Sequence, residues 1–252
     1  MNDTRKFYDD LAESYHLIFE DWDRSIARQA ASLEAVLAPL VPPESFIIDA
    51  AAGIGTQTLA LSSRGFRVAA FDISERSVSR ARREATQRHF ELIFGVADFR
   101  ELPFRTGVAD AIIACDNALP HLASLSEIKT ALLEFRRCIR PGGVMLISMR
   151  DYAVQPPGTR ELKPYGERVW NGRRYSAEQE WLWEGASYRL ILRIRPLDVE
   201  GDDNVLEVRT TYLAASISEV LRAMTDIGLT NITRLDEPYY QPLLVGTVGG
   251  AA

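Results

Sequence analysis

One stretch, residues 46–57, restricts what this chain can fold into more than any other. Phe46, Ile47 and Ile48 make a short apolar run that reads as a buried parallel strand. At Asp49 the run breaks into a loop of small residues (Ala50, Ala51, Ala52, Gly53, then Gly55), and the pattern predicts a helix from about Thr56. Strand, glycine-bearing loop and helix N-terminus in that order make a nucleotide-binding turn, because only small residues let the backbone approach a ligand closely. A second apolar run, Phe66 to Phe71, ends at Asp72, 23 residues after Asp49. An acid at that strand end can accept both hydroxyls of a ribose. The loop lacks the full Gly-x-Gly-x-x-Gly set that a pyrophosphate needs, so it disfavours a dinucleotide and suits a ligand without phosphate.

The pattern repeats downstream. Strands are expected over Phe90–Val96, Val108–Ala114 and Val144–Ser148, alternating with helices over Thr56–Arg64, after Ser74, and after a Ser124/Glu127 capping box. Arg140, Pro141, Gly142 and Gly143 are expected to end that last helix sharply. Alternation of this kind calls for right-handed crossovers and a mostly parallel sheet. The arginines at 76, 80, 82, 83 and 88 read as a solvated helix face. Between Asp151 and Tyr212 the helical period disappears. Short strands are expected there over Arg168–Tyr175, Glu178–Trp183, Tyr188–Pro196 and Val205–Tyr212, with a loop opening at Pro156 and Pro157 and turn signals at Asn171-Gly172 and Glu184–Ala186. A last helix boxed by Ser216 and Glu219 and a closing antiparallel pair, Leu229–Asp236 and Leu243–Val248, complete the chain.

Three polar clusters fall where open α/β sheets bind ligands. Asp98 and Phe99 follow the third strand, and Cys115, Asp116, Asn117 and His121 follow the fourth. Arg150 ends the fifth, where a guanidinium can grip a carboxylate bidentately. A formal charge of −6 in 252 residues favours neither nucleic acid nor an anionic membrane. No apolar run is long enough to span a bilayer, and the N-terminus is no signal peptide. Cys115 and Cys138 lack metal-ligand spacing and His16, His89 and His121 are scattered, so a cytoplasmic protein with no metal is expected.

The loop from Asp49 to Gln57 followed by Asp72 resembles the first cofactor motifs of class I S-adenosylmethionine-dependent methyltransferases. Tyr15 to Trp22 with Arg28 and Gln29, Asp116 to His121, Ser148 to Tyr152, and Tyr239 to Val245 resemble more narrowly the glycine/sarcosine N-methyltransferase group. The resemblance implies a Rossmann-like α/β fold: a seven-stranded, mostly parallel sheet with its last strand antiparallel, built from residues 25–150 and 213–252. Residues 1–24 would be an N-terminal lid, and residues 151–212 an inserted antiparallel sheet covering the substrate. It also implies roles. S-adenosylmethionine would be held by Tyr15, Trp22, Arg28 (on its carboxylate), Asp49, Ala51, Gly53, Asp72, Ile73, Asp98, Phe99, Cys115 and His121, leaving S-adenosylhomocysteine after transfer. Tyr8 and His121 would stand at the reacting centre, and Tyr8, Asn117, Arg150 and Tyr152 would hold the acceptor. Alanine at 51 and 52 departs from the glycine, serine or cysteine commoner there.

The resulting expectation is methyl transfer to a small molecule, at an amine of an amino-acid-like acceptor, with no nucleic-acid or membrane partner and with homo-oligomerisation left open. The alternatives are a C- or O-methyltransferase of a larger aromatic metabolite, suggested by Tyr152, Tyr165, Trp170, Tyr175, Trp181 and Trp183, a non-catalytic cofactor-binding module and, more remotely, an NAD-dependent oxidoreductase.

Overall fold

The computed structural model describes residues 2–153, 158–198 and 204–250; Pro156 and Pro157, where a loop is expected, lie outside them. Two sheets organise these residues. The larger has β1 (Phe46–Asp49), β2 (Arg67–Asp72), β3 (Ile93–Val96), β4 (Ala109–Ala114), β5 (Ile139–Ser148), β10 (Leu229–Leu235) and β11 (Leu243–Val248), in the order β10-β11-β5-β4-β1-β2-β3. β1 to β5 pair in parallel, while β11 lies antiparallel to both β5 and β10. Strand order reverses between β1 and β4, and this is where such a sheet opens a crevice at its carboxyl ends. Ile47, Ile48, Ile112 and Ile113 are fully buried, as a central strand covered on both faces requires.

Helices α2 (Trp22–Leu37), α3 (Thr56–Ser62), α4 (Glu75–Gln87), α5 (Leu125–Cys138) and α6 (Ile217–Asp226) flank this sheet. Ser74, Ser124 and Ser216 accept the expected cap hydrogen bonds, and Asp21 caps α2 in the same way. The Ser216/Glu219 box is complete, whereas Glu127 bonds the N–H of Ala123 rather than that of Ser124. The smaller sheet is the meander β6 (Arg160–Trp170), β7 (Arg173–Glu184), β8 (Ser187–Pro196) and β9 (Leu206–Leu213). Helix α1 (Asn2–Leu11) packs against β9 and α4, and a 3-10 turn over Tyr15–Ile18 follows it. Among the described residues no helix is long and apolar enough to cross a membrane.

Four local expectations need correction. Arg168 to Tyr175 is not one strand: Asn171 and Gly172, both at positive φ, form the β6–β7 turn inside it. β3 starts at Ile93 rather than Phe90, and β5 already starts at Ile139, so Arg140 to Gly143 form its irregular first part rather than a helix stop. Arg80 is not solvated. It is 6% exposed, donates to Glu84 Oε1 at 2.6 Å and lies over the Trp22 ring, so burying its charge is offset by a carboxylate and an aromatic face.

Candidate functional site

Two cavities meet at the carboxyl ends of β1, β2 and β4. The first, about 800 Å³ with its open mouth, is lined by the β1–α3 loop, by Asp72 and Ile73 after β2, by Asp98 and Phe99 after β3, and by Cys115, Asp116 and His121 after β4. Gly53 and Gly55 hold φ of +52° and +95°, a region that disfavours other side chains. A Cβ on Gly53 would meet no atom within 4 Å, so this glycine keeps the cavity wall open. A Cβ on Gly55 would stand 3.2 Å from that of Ala81, so this one lets α3 and α4 close on each other.

Asp72 organises the loop. Its two oxygens accept the N–H groups of Gly53 and Ser74, both at 2.8 Å, while burial raises its pKa. Asp49 lies fully buried beneath the loop, and Thr58 donates to its Oδ2 at 2.6 Å. Burial pushes this carboxyl up to about 7. Asp98 is held by Arg100, whose guanidinium donates to both of its oxygens. The cavity wall thus carries three carboxylates, Asp72, Asp98 and Asp116, against one cation, Arg100, already joined to Asp98 and Glu127. That charge pattern repels a pyrophosphate and suits a positively charged ligand, which argues against a dinucleotide.

The second cavity lies under α1 and the smaller sheet. Phe7, Leu11, Ile18 and Leu192 give it apolar walls, and Arg150, Gln179, Tyr212 and Gln241 give it polar ones. Tyr8, Tyr15 and Asp116 line both cavities and so stand at their junction. The hydroxyl of Tyr8 is 2.7 Å from His121 Nε2, and Thr210 Oγ1 lies 3.4 Å from the other ring nitrogen. Burial, assisted by the charge of Arg150, lowers the His121 pKa to about 3, so this imidazole is neutral at any ordinary pH. Arg150 donates from one guanidinium nitrogen to the Tyr188 hydroxyl at 3.0 Å and lies against the rings of Trp181 and Tyr212. Asp151, its neighbour in sequence, pairs with Arg234 instead.

Residues 47–143 match the family model described as a methyltransferase domain. Over that span the chain is similar to methyltransferase domains. It is 27% identical over 191 residues to a glycine/sarcosine N-methyltransferase of Parasynechococcus marenigrum (strain WH8102), covering 74% of this chain and 64% of that protein. Three curated relatives, this one included, are spanned over 53%, 64% and 60% of their own length, less than two thirds in each case. Among solved structures, the CcbJ methyltransferase from Streptomyces caelestis matches with a TM-score of 0.77 at 15% identity, over 98% of both chains. SAM-bound CalS10, an amino pentose methyltransferase from Micromonospora echinaspora, matches with a TM-score of 0.73 at 17% identity, over 88% of this chain and 91% of the other. At those identities the likeness is one of fold, and the fold is that of class I S-adenosylmethionine-dependent methyltransferases.

The first cavity fits that cofactor on its own chemistry: an open glycine wall, an acid at the β2 end, apolar Ile73, Phe99 and Leu122, and an excess of carboxylate. Of the residues singled out in the sequence, Tyr8, Tyr15, Ala51, Gly53, Asp72, Ile73, Asp98, Phe99, Cys115 and His121 line it. Others do not. Arg28 is exposed and absent from its wall, whereas its neighbour Gln29 is buried and bonded to Gln57 and Tyr239. Trp22 lies behind the wall, donating from Nε1 to Thr56 Oγ1 at 2.9 Å. Asn117 lines neither cavity; its amide accepts from the Arg150 N–H and donates to the Tyr152 hydroxyl, so it joins the ends of β4 and β5. Tyr152 likewise stands behind the wall. Of the six aromatics suggested as a platform for a planar acceptor, only Tyr165 lines the second cavity, while Trp181 stacks on Tyr188 and Trp183 packs tilted against that ring. Sequence reasoning placed Asp116 in the polar run after β4 and Gln241 in the closing motif but gave neither a role, and it gave none to Tyr212.

Proposed function

We propose that this protein transfers a methyl group from S-adenosylmethionine to the amine of a small, amino-acid-like acceptor. The observation that carries the reading is Arg150. Its guanidinium opens on the second cavity, and among the described residues no carboxylate lies within 4.0 Å of it. Leaving a buried cation without a counter-ion is costly, and an acceptor carboxylate would supply one through two parallel hydrogen bonds. The relatives named for glycine and sarcosine N-methylation agree with such an acceptor.

The residues divide the work. Asp72, Asp98 and the loop around Gly53 would hold the cofactor, which supplies a methyl group already activated on a cationic sulfur. Arg150 fixes the far end of the acceptor, and Tyr8 and Tyr15 wall the point where the cavities join. Such alignment can supply up to about 7–11 kcal/mol of barrier reduction. Helix α1, packed on β9, would roof the site, and keeping water out would strengthen each of these contacts.

A second reading rests on the apolar walls, Phe7, Leu11, Ile18 and Leu192, which leave room for an acceptor larger than glycine. S-adenosylhomocysteine release with glycine, sarcosine, leucine, phenylalanine, aromatic amines and phenols tests both. Turnover of an amino acid, lost in Arg150→Met, supports the first; turnover only of phenols overturns it.

A further inference from the structure

Asp116 and Asn117 both sit in the left-handed region, with φ of +57° and +67°, although neither is a glycine. Residues other than glycine are uncommon in this region, although Asp and Asn tolerate it better than most. The conformation is held in place: the Asp116 N–H donates to Ser148 Oγ at 2.8 Å and the Asn117 N–H to the Ser148 carbonyl at 3.1 Å. For Asn117 the reason is visible in its bonds to Arg150 and Tyr152. For Asp116 the result is a carboxylate at the junction of the two cavities.

The surroundings of that carboxylate are polarised. Tyr239 and Tyr240, both from the β10–β11 connection, donate to the same oxygen, Oδ1, the first at 3.1 Å. The Tyr240 ring is 59% exposed while its hydroxyl turns inward onto Asp116. The Tyr239 hydroxyl also lies 2.6 Å from Gln29 Oε1, so its single proton is shared between two acceptors. Neither hydroxyl takes Oδ2. Across the same cavity stands Arg150, whose charge is felt at Asp116.

We propose that Asp116 is the second anchor of the acceptor: its carboxylate binds the ammonium of a zwitterionic substrate whose carboxylate lies on Arg150, and then takes the proton that must leave before methylation. This rests on the amino-acid reading above and deepens it. In the proton step an N–H bond of the ammonium breaks and an O–H bond forms on Asp116 Oδ2. The nitrogen keeps the electron pair, giving a neutral amine beside a neutral carboxylic acid. The neutral amine then stands at the junction of the two cavities, beside Tyr8 and Tyr15. His121 is poorly placed for this task, because its Nε2 is already bonded to Tyr8.

Burial raises the pKa of Asp116, against the Tyr240, Gln57 and Tyr239 hydrogen bonds and the Arg150 charge, which lower it. The other ionisable groups whose charge bears on it are Asp49, Cys115, Tyr15 and Tyr165. A raised value brings a carboxylate closer to what a proton acceptor for an amine needs.

The test uses the full chain saturated with S-adenosylhomocysteine. Calorimetry measures three amino acids against their nitrogen-free isosteres: sarcosine against butyrate, L-leucine against 4-methylpentanoate, and L-phenylalanine against 3-phenylpropanoate. The variant is Asp116→Asn, since asparagine also tolerates the left-handed conformation. The expected result is at least a tenfold loss for the amino acid that binds wild type best, with its isostere unchanged. Equal weakening of both overturns the anchor but leaves the amino-acid reading standing. No binding of any amino acid to wild type overturns both. As a second variant, Tyr240→Phe removes one hydrogen bond to the charged form and so raises the Asp116 pKa. The acid limb of kcat/KM should move to higher pH in this variant; an unmoved limb overturns the proton step.

Discussion

The Tyr8 hydroxyl and His121 Nε2, 113 residues apart in sequence, meet at 2.7 Å and tie helix α1 to the loop after β4. Burial raises the tyrosine pKa well above its ordinary value and keeps the histidine neutral, so the bond joins two uncharged groups. Tyr8→Phe would leave a buried ring nitrogen without that partner, a loss of about 1–3 kcal/mol. Urea unfolding should show the midpoint falling accordingly. An unchanged midpoint would mean that α1 is held by its other contacts alone.

Asp72 accepts two backbone N–H groups and lines the first cavity. Asp72→Ala should weaken S-adenosylhomocysteine binding by roughly 1.5–3 kcal/mol, about 10- to 150-fold. Calorimetry giving the wild-type dissociation constant would remove Asp72 from the binding site.

Arg150 carries its charge among tyrosines and a tryptophan rather than against a carboxylate. Such an arrangement burdens the fold, so Arg150→Met should leave the melting temperature unchanged or raise it. Tyr188 keeps Tyr152 as a hydroxyl partner at 3.1 Å, so the change strands no buried oxygen. Acceptor affinity should fall about 10- to 150-fold, the weight of a charge-assisted contact, while cofactor affinity persists. A clear fall in melting temperature would mark the residue as structural.

Asp49 gives a pH signature. Its carboxyl titrates near 7 in the fold and near 3.9 in the unfolded chain, so between those values the folded state binds the extra proton. Stability from this group is therefore full below about pH 4, declines as pH rises through that window, and is at its lowest above 7. Asp49→Asn cannot titrate. The melting temperature of wild type relative to the variant should fall steadily from pH 4 to pH 7; a constant difference would show that Asp49 titrates normally.

The sheet and its cofactor loop were legible in the sequence because local rules fix them: branched apolar runs make central strands, and Gly53 and Gly55 stand where φ must be positive. Arg28, expected on the cofactor, stands outside the first cavity. A helix turns about 100° per residue, so Gln29 faces inward where Arg28 faces solvent. Asp116 was visible in the polar run after β4, but its role was not, for a different reason. Its significance comes from Tyr239 and Tyr240, more than 120 residues away, and no local pattern encodes that meeting.

Tyr8 and Tyr15 belong to one N-terminal segment yet wall both chambers. On the reading proposed above, withdrawal of that segment would open both chambers together, so spent cofactor and product would leave through one opening. An acceptor needing a second methyl group would then have to leave and return, and each partially methylated species should appear free in solution before the next is made.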